Sequence, residues 1–343
     1  MNVKAAATRV VRVLLVLLAL GFCAYSLVSR WDETVQAFRQ MSWATLAGAF
    51  AVGLAGLFAW MVAWRALLGG LGSPLPLRAA FRINAVSQLG KYVPGKVWAI
   101  VTQVEMGRAY QVPRLRNFSS VLLAVATTCA CGLAVASVTL PLTSQAARDR
   151  YWWLFLLAPV LLGALHPRIV TWCLNTALRL VRRPPLEHPV SLGVTLRAIA
   201  WTMLAWALFG VHTWLLCAAV GGDGAGLPFA ATGAYALAFV AGFLVFIAPG
   251  GIGAREAALV LALSSSLPAG APIVVAIASR VLLTVADLVN AGVALLLARP
   301  AAGPAAGSAA AAEERPHIPP RDGGNGNESR PERLVPGTQP TKE

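Results

Sequence analysis

The chain has 343 residues, of which 57% are apolar and only 12% are charged, and its formal net charge is +14. Soluble domains carry about 25% charged residues, so this composition, with a mean hydropathy of +0.67, excludes an ordinary soluble domain. A basic excess in a soluble protein would suggest nucleic acid. Here the basic residues gather at the ends of apolar runs, where they set the orientation of membrane proteins. We therefore expect anionic lipid headgroups, and no nucleic acid, as partners.

Long uncharged stretches predict membrane-spanning helices, because about 20 apolar residues cross a ~30 Å hydrocarbon core. The first run follows a basic start, as a signal peptide does, but no small-residue cleavage site follows it, so it is expected to be retained. A separate stretch, 167–181, mixes apolar and basic residues and predicts an interfacial helix. The sequence predicts an all-α polytopic fold of about eight transmembrane helices, at residues 13–28, 43–66, 117–142, 151–165, 197–220, 228–248, 251–266 and 272–298.

The distribution of charge predicts the orientation of these helices. Most basic residues fall in the stretches 4–12, 65–116 and 168–197 and at position 299, whereas the other loops are close to neutral. We therefore expect a multi-pass protein of the cell (inner or plasma) membrane with both termini in the cytoplasm. Residues 1–299 form the expected membrane domain. Residues 300–343 combine Ala, Gly and Pro with mixed charge and are expected to be a disordered cytoplasmic tail.

Two segments do not have the sequence of a plain span. The stretch 79–102 is interrupted by Gly90-Lys91-Tyr92-Val93-Pro94-Gly95-Lys96, and the stretch 239–263 is interrupted by Ala248-Pro249-Gly250-Gly251-Ile252-Gly253. Proline removes a helical hydrogen bond and glycine permits positive φ, so each segment is predicted to be a broken helix or a re-entrant hairpin. Interrupted segments at corresponding places in the two halves of a transporter mark a midplane binding site between structural repeats. We therefore hypothesise that the two halves of this chain are inverted repeats with such a site between them.

The first interruption carries a candidate anion site. Lys91 and Lys96 flank the break, and the limb that begins after Pro94 and Gly95 would present unpaired backbone N–H groups. Such a helix start suits a phosphate. The alternative is a cytoplasmic turn whose lysines only set the orientation. Further along, Glu105 and Arg108 form either an ion pair at the rim or part of this site.

The second interruption is followed by Arg255 and Glu256, and the last span contains Arg280, Thr284 and Asp287. The spacing i, i+4, i+7 places the last three on one helical face, and charges inside a span usually face the bundle interior. Arg255 and Glu256 are candidate partners for that face. We expect lipid-headgroup or gate contacts here, with a helix cap or a structural ion pair as the alternative.

Motifs for other chemistry are missing from the sequence. It has no G-x-x-x-x-G-K-[ST], no G-x-S-x-G and no histidine pair at metal-ligand spacing. We therefore expect no enzyme activity, no cofactor and no metal, and transport that is passive or coupled to a gradient.

The stretches Gly90-Lys-Tyr-Val-Pro-Gly-Lys-Val-Trp98 and Pro249-Gly-Gly-Ile-Gly-Ala-Arg-Glu-Ala-Ala-Leu259 resemble two signatures of the lysylphosphatidylglycerol synthase transmembrane family, also called flippase-like domain proteins. The resemblance covers about residues 10–299. In the multiple peptide resistance factors of that family, such a membrane domain flips an aminoacylated phospholipid that a separate cytosolic domain makes. Only a short polar tail follows Arg299 here, so the synthase activity is not expected.

The resemblance implies a flippase-like translocator for an anionic or modified phospholipid or a polyprenyl-phosphate-linked lipid. The two motifs and the charged residues discussed above together give the candidate lipid-binding or translocation residues Lys91, Tyr92, Pro94, Gly95, Lys96, Glu105, Arg108, Pro249, Gly250, Gly251, Arg255, Glu256, Arg280 and Asp287. One alternative is a small-solute secondary transporter. The other is a non-transporting, lipid-binding partner of a separate synthase or glycosyltransferase. The sequence leaves open whether the chain associates with further copies of itself, as a homo-oligomer, or with a separate lipid-modifying enzyme.

Overall fold

The computed structural model describes residues 41–92, 97–180, 190–244, 253–268 and 270–297, and within them the secondary structure is helical without strands. The predicted first span 13–28, the predicted tail 300–343 and residues 93–96 and 245–252 at the two interruptions lie outside these ranges. The helices are α1 Trp43–Gly70, α2 Leu77–Gln88, α3 Val97–Arg108, α4 Arg114–Thr139, α5 Gln145–Tyr151, α6 Leu157–Ala164, α7 Pro167–Leu180, α8 Leu192–Ala219, α9 Leu227–Leu244, α10 Ala254–Leu263 and α11 Ala271–Leu296.

Five of these helices (α1, α4, α8, α9 and α11) are long and apolar enough to cross a membrane. A sixth candidate combines 145–164 with 167–173, which are bent by 68° at a short break. The all-α membrane fold is thus confirmed, whereas the predicted count of eight is not. The predicted span 151–165 is no single straight helix, because the chain forms a 3-10 turn at Trp152–Leu156 before the eight-residue helix α6.

The core of the bundle is an antiparallel pair of long helices, α1 and α8. Each begins after a serine, Ser42 or Ser191, whose side chain accepts a hydrogen bond from a backbone N–H of the first turn, as an N-cap residue does. Glycines of α1 then let α8 approach closely, and Gly56 faces the ring of Phe209. Around this contact the aromatic rings of Trp60, Trp206, Phe209, Tyr235 and Phe239 pack against one another.

The first interrupted segment, Leu77–Arg108, is a hairpin that enters and leaves at one end of the bundle. Its two limbs, α2 and α3, lie against each other, and a Cβ built on Gly90 would be only 2.5 Å from the backbone nitrogen of Ala99. At its entrance Arg116 of α4 donates a hydrogen bond to the Gly72 carbonyl, and at its exit Gly107 meets Asn117. We call this end of the bundle the basic end, since Arg78, Arg108, Arg114, Arg116 and Arg197 lie there.

The second interrupted segment, Leu227–Leu263, is a hairpin that enters from the opposite, far end. Its limbs α9 and α10 meet where Gly242 lies against Arg255, and the chain beyond α10 returns to the start of α9, where Leu267 meets Gly222. The predicted crossing at 251–266 is therefore a returning limb. Its ten helical residues span about 15 Å, half of a hydrocarbon core.

The two halves of the chain repeat one order of elements in opposite directions. In the first half, α1 ends at the basic end, the first hairpin enters there and α4 leaves. In the second half, α8 ends at the far end, the second hairpin enters there and α11 leaves. The flanking helices match in length, with 28 residues in α1 and α8 and 26 in α4 and α11. This is the arrangement that an inverted repeat requires.

Candidate functional site

The two hairpins meet on one face of α11. Arg280 and Asp287 are seven residues apart, which is two helical turns and about 10 Å along the axis. Asp287 is only 3% exposed and lies well inside a helix that is long enough to span the membrane. A charge at this depth is costly unless it is paired, so the structure has to supply partners from other elements.

The first hairpin supplies the partners of Asp287. The Lys91 ammonium lies 2.6 Å from Asp287 Oδ2, and the Tyr92 hydroxyl donates a hydrogen bond of 2.6 Å to the same oxygen. Both residues belong to the 3-10 turn Leu89–Tyr92 that ends the α2 limb. The first hairpin is thus fastened to α11 at the end of its α2 limb.

The second hairpin supplies a partner of Arg280. Glu256 Oε1 lies 3.6 Å from the Arg280 guanidinium, while its Oε2 accepts a hydrogen bond of 2.7 Å from the Gly253 backbone N–H. Gly253 has φ of +88°, a conformation that favours glycine. Glu256 therefore caps the N-terminus of α10 with one carboxylate oxygen. With the other it pairs with Arg280 of α11, so it is both a helix cap and a partner of the charged face.

Arg255 is held differently from the other cations. Its guanidinium donates a hydrogen bond of 2.6 Å to the Tyr235 hydroxyl and lies 4.9 Å from the Tyr235 ring centroid and 5.5 Å from that of Phe239. Aromatic faces attract a cation without neutralising it. No carboxylate among the described residues pairs with Arg255.

These residues, which we call the tip cluster, are Lys91, Tyr92, Arg255, Glu256, Arg280 and Asp287. The cluster holds three cations and two carboxylates, which leaves one positive charge that protein groups of the described ranges do not balance. Arg255 carries that charge, because the other two cations have carboxylate partners. Electrostatically, the tip cluster suits one anionic group.

Glu105 and Arg108 are not brought to the tip cluster. Glu105 lies near the C-terminus of α3, exposed at the basic end, where Arg114 and Arg108 contact its carboxylate at 2.8 and 3.1 Å. Hydrogen bonds from Arg114 and then Arg108 hold the pKa of Glu105 below its usual range. This geometry favours the rim ion pair. Pro94, Gly95, Lys96, Pro249, Gly250 and Gly251 lie outside the described residues.

Sequence reasoning missed Tyr235 and Phe239. A signal was available, since the two aromatic residues are four apart in α9 and therefore share a helical face. It also missed the contact between Lys91 and Asp287. His212 is a core residue whose ring nitrogens both have partners, since they lie 2.8 Å from the Ala49 carbonyl oxygen and 3.0 Å from the Ser279 hydroxyl oxygen.

The fold and the tip cluster define a polytopic helical membrane protein in which two opposed hairpins bring charged groups to one transmembrane helix. The chain belongs to the family described as the lysylphosphatidylglycerol synthase TM region, whose sequence model matches residues 9–289. The resemblance drawn from the two motifs is thereby confirmed. Among curated proteins no sequence matches the chain.

Proposed function

We propose that the protein is a lipid translocator that moves an anionic or modified phospholipid, or a polyprenyl-phosphate-linked lipid, between membrane leaflets. The observation that carries the proposal is Arg255, a cation in the membrane region that is oriented by Tyr235 and Phe239 and has no carboxylate partner among the described residues. A lipid phosphate would supply the missing negative charge, and a guanidinium can bind it with two parallel hydrogen bonds.

The two opposed hairpins support movement rather than storage of the lipid. Each hairpin enters from one end of the bundle, and both are fastened to α11 by an ion pair. Loosening one ion pair at a time would open the tip cluster toward one end while the other end stays closed, as alternating access requires. The sequence has no P-loop, so we propose passive or gradient-coupled transport, and we propose translocation without any chemical change to the lipid.

Reconstitution in liposomes tests this function. The purified chain is placed in phosphatidylcholine vesicles that contain a trace of fluorescent phosphatidylglycerol, and reduction of the outer-leaflet dye reports translocation. We expect faster translocation than in protein-free vesicles and an unchanged lipid mass. Arg255→Gln should slow it roughly tenfold to a hundredfold, the value of a hydrogen bond to a charged group. The control Arg148→Gln, exposed in α5, should match the wild type.

Other outcomes identify the competing functions. Phosphatidylglycerol that binds without any flux would indicate an accessory lipid-binding protein that works with a separate synthase or glycosyltransferase. Uptake of a soluble anion without lipid flux would indicate a small-solute transporter. A change in the mass of the lipid would indicate an enzyme. Any of these results would overturn the proposed translocation.

A further inference from the structure

Arg82, in the first hairpin, has a buried donor without an acceptor. The residue lies in the middle of α2 and is partly exposed, yet its Nε atom is buried and has no hydrogen-bond partner. A buried N–H that is left unpaired costs free energy, and the cost is larger for a charged group. A native structure that keeps such a group calls for an explanation.

The position of Arg82 relates it to the tip cluster. From Arg82 to Leu89 the α-helix turns about 700°, and from Leu89 to Tyr92 the 3-10 turn completes about one further revolution. Arg82 and Tyr92 therefore lie within about 20° of each other around the hairpin axis, and about 16 Å apart along it. Tyr92 contacts Asp287 of α11, so Arg82 lies on the same face of the hairpin, closer to the basic end.

No carboxylate of the described ranges is available to neutralise Arg82. Glu105 is engaged by Arg108 and Arg114, and the carboxylates of the tip cluster have their own partners. The other two acidic residues of the described ranges lie at the far end of the bundle, Asp149 in α5 and Asp223 after the end of α8. The described residues thus leave the Arg82 Nε–H without an acceptor and its charge without a carboxylate partner.

We propose that Arg82 is an anion-binding residue that takes the phosphate group of a membrane lipid near the basic end of the protein. In the lipid-bound state its Nε–H and an Nη–H would form the planar fork that two phosphate oxygens accept. If the bound lipid is the one that is translocated, which rests on the proposed function, Arg82 binds it first, near the basic end. Arg255 then binds it deeper in the bundle. Nothing in the two sequence motifs includes Arg82.

The test compares Arg82→Gln with Arg78→Gln, a matched control four residues earlier on α2 whose side chain is exposed. Binding of phosphatidylglycerol to the purified full chain in detergent is measured by native mass spectrometry, and binding of inorganic phosphate is measured in parallel. We expect Arg82→Gln to weaken phosphatidylglycerol binding about tenfold or more and Arg78→Gln to change it less than twofold. A loss confined to inorganic phosphate would identify a free phosphate as the ligand. Equal binding of both probes by wild type and Arg82→Gln would overturn the proposal.

Arg82→Lys keeps the inference testable if the glutamine variant does not fold. Lysine retains the charge but lacks the planar fork, so this variant should melt near the wild-type temperature and bind phosphatidylglycerol several-fold more weakly. Unchanged affinity would contradict a guanidinium contact. Translocation by the wild type separates the two proposals. If the wild type translocates lipid and the Arg82 variants bind lipid as the wild type does, only the Arg82 site is refuted. If the Arg82 variants bind lipid more weakly but the wild type shows no flux, only the translocator function is refuted.

Discussion

Lys91 and Asp287 are the residues on which the contact between the first hairpin and α11 depends. The Asp287 side chain is 4% exposed and that of Lys91 is 32% exposed, at a separation of 2.6 Å. A buried ion pair contributes little net stability compared with an apolar pair, but removal of one partner leaves the other charge uncompensated. The Tyr92 hydroxyl shares the same carboxylate oxygen, so the loss of the carboxylate would deprive two donors of their acceptor.

Asp287→Asn should therefore destabilise the protein by about 1–3 kcal/mol, a value below that for fully buried pairs because Lys91 is one-third exposed. Lys91→Met should cost a similar amount, since it leaves the carboxylate buried. The double variant should cost less than the sum of the two single variants. Unfolding of the four proteins in one detergent gives the coupling energy. Strictly additive effects would show that the two side chains do not interact in the folded state.

At the scale of the elements, each hairpin depends on a glycine where its limbs touch. A Cβ at Gly90 would lie 2.5 Å from the Ala99 nitrogen, and a Cβ at Gly242 would lie 2.8 Å from the Arg255 Cβ. Backbone cannot yield to a methyl group at Gly90, whereas the contact at Gly242 is with a side-chain atom. Gly90 directly precedes Lys91 in the chain and Gly242 packs against Arg255, so a shift of either limb displaces a charged group of the tip cluster.

Gly90→Ala should destabilise the protein by about 1–3 kcal/mol, the usual cost of overpacking, and should slow translocation because Lys91 is displaced from Asp287. Gly242→Ala should have an effect of the same sign. Gly292→Ala in α11 is the control, because nothing lies within 4 Å of its added Cβ and alanine favours a helix by up to about 1 kcal/mol. Melting temperatures and flux are measured on all three. A Gly90 variant as stable and active as the Gly292 control would show that the limbs separate freely.

The sequence predicted elements better than it predicted contacts. Proline and glycine revealed both interruptions because their backbone limits are local, and the i, i+4, i+7 spacing revealed the polar face of Arg280 and Asp287 for the same reason. The contact of Tyr92 with Asp287 joins residues 195 positions apart, and no local pattern encodes such a distance. Hydropathy likewise suggested a crossing at 251–266, because an apolar composition does not tell a crossing limb from a returning one.

At the scale of the whole molecule, the opposed hairpins make the two ends of the bundle comparable in architecture but not in charge. Arg78, Arg108, Arg114, Arg116 and Arg197 gather at the basic end, and each hairpin opens toward a different end. The direction of the protein in the membrane therefore decides which leaflet delivers a lipid to Arg82. The positive-inside rule predicts that the basic end faces the cytoplasm.

Cysteine labelling in intact cells tests this orientation. Gly193→Cys lies at the start of α8 at the basic end, and Ala146→Cys lies in α5 at the far end, and both positions are exposed. The background replaces Cys23, Cys129 and Cys173 but keeps Cys131 and Cys217, which are 0% exposed and so should not react. A membrane-impermeant maleimide should label Ala146→Cys in intact cells and Gly193→Cys only after lysis. The reverse pattern would place the basic end outside, and Arg82 would then meet lipids of the outer leaflet first.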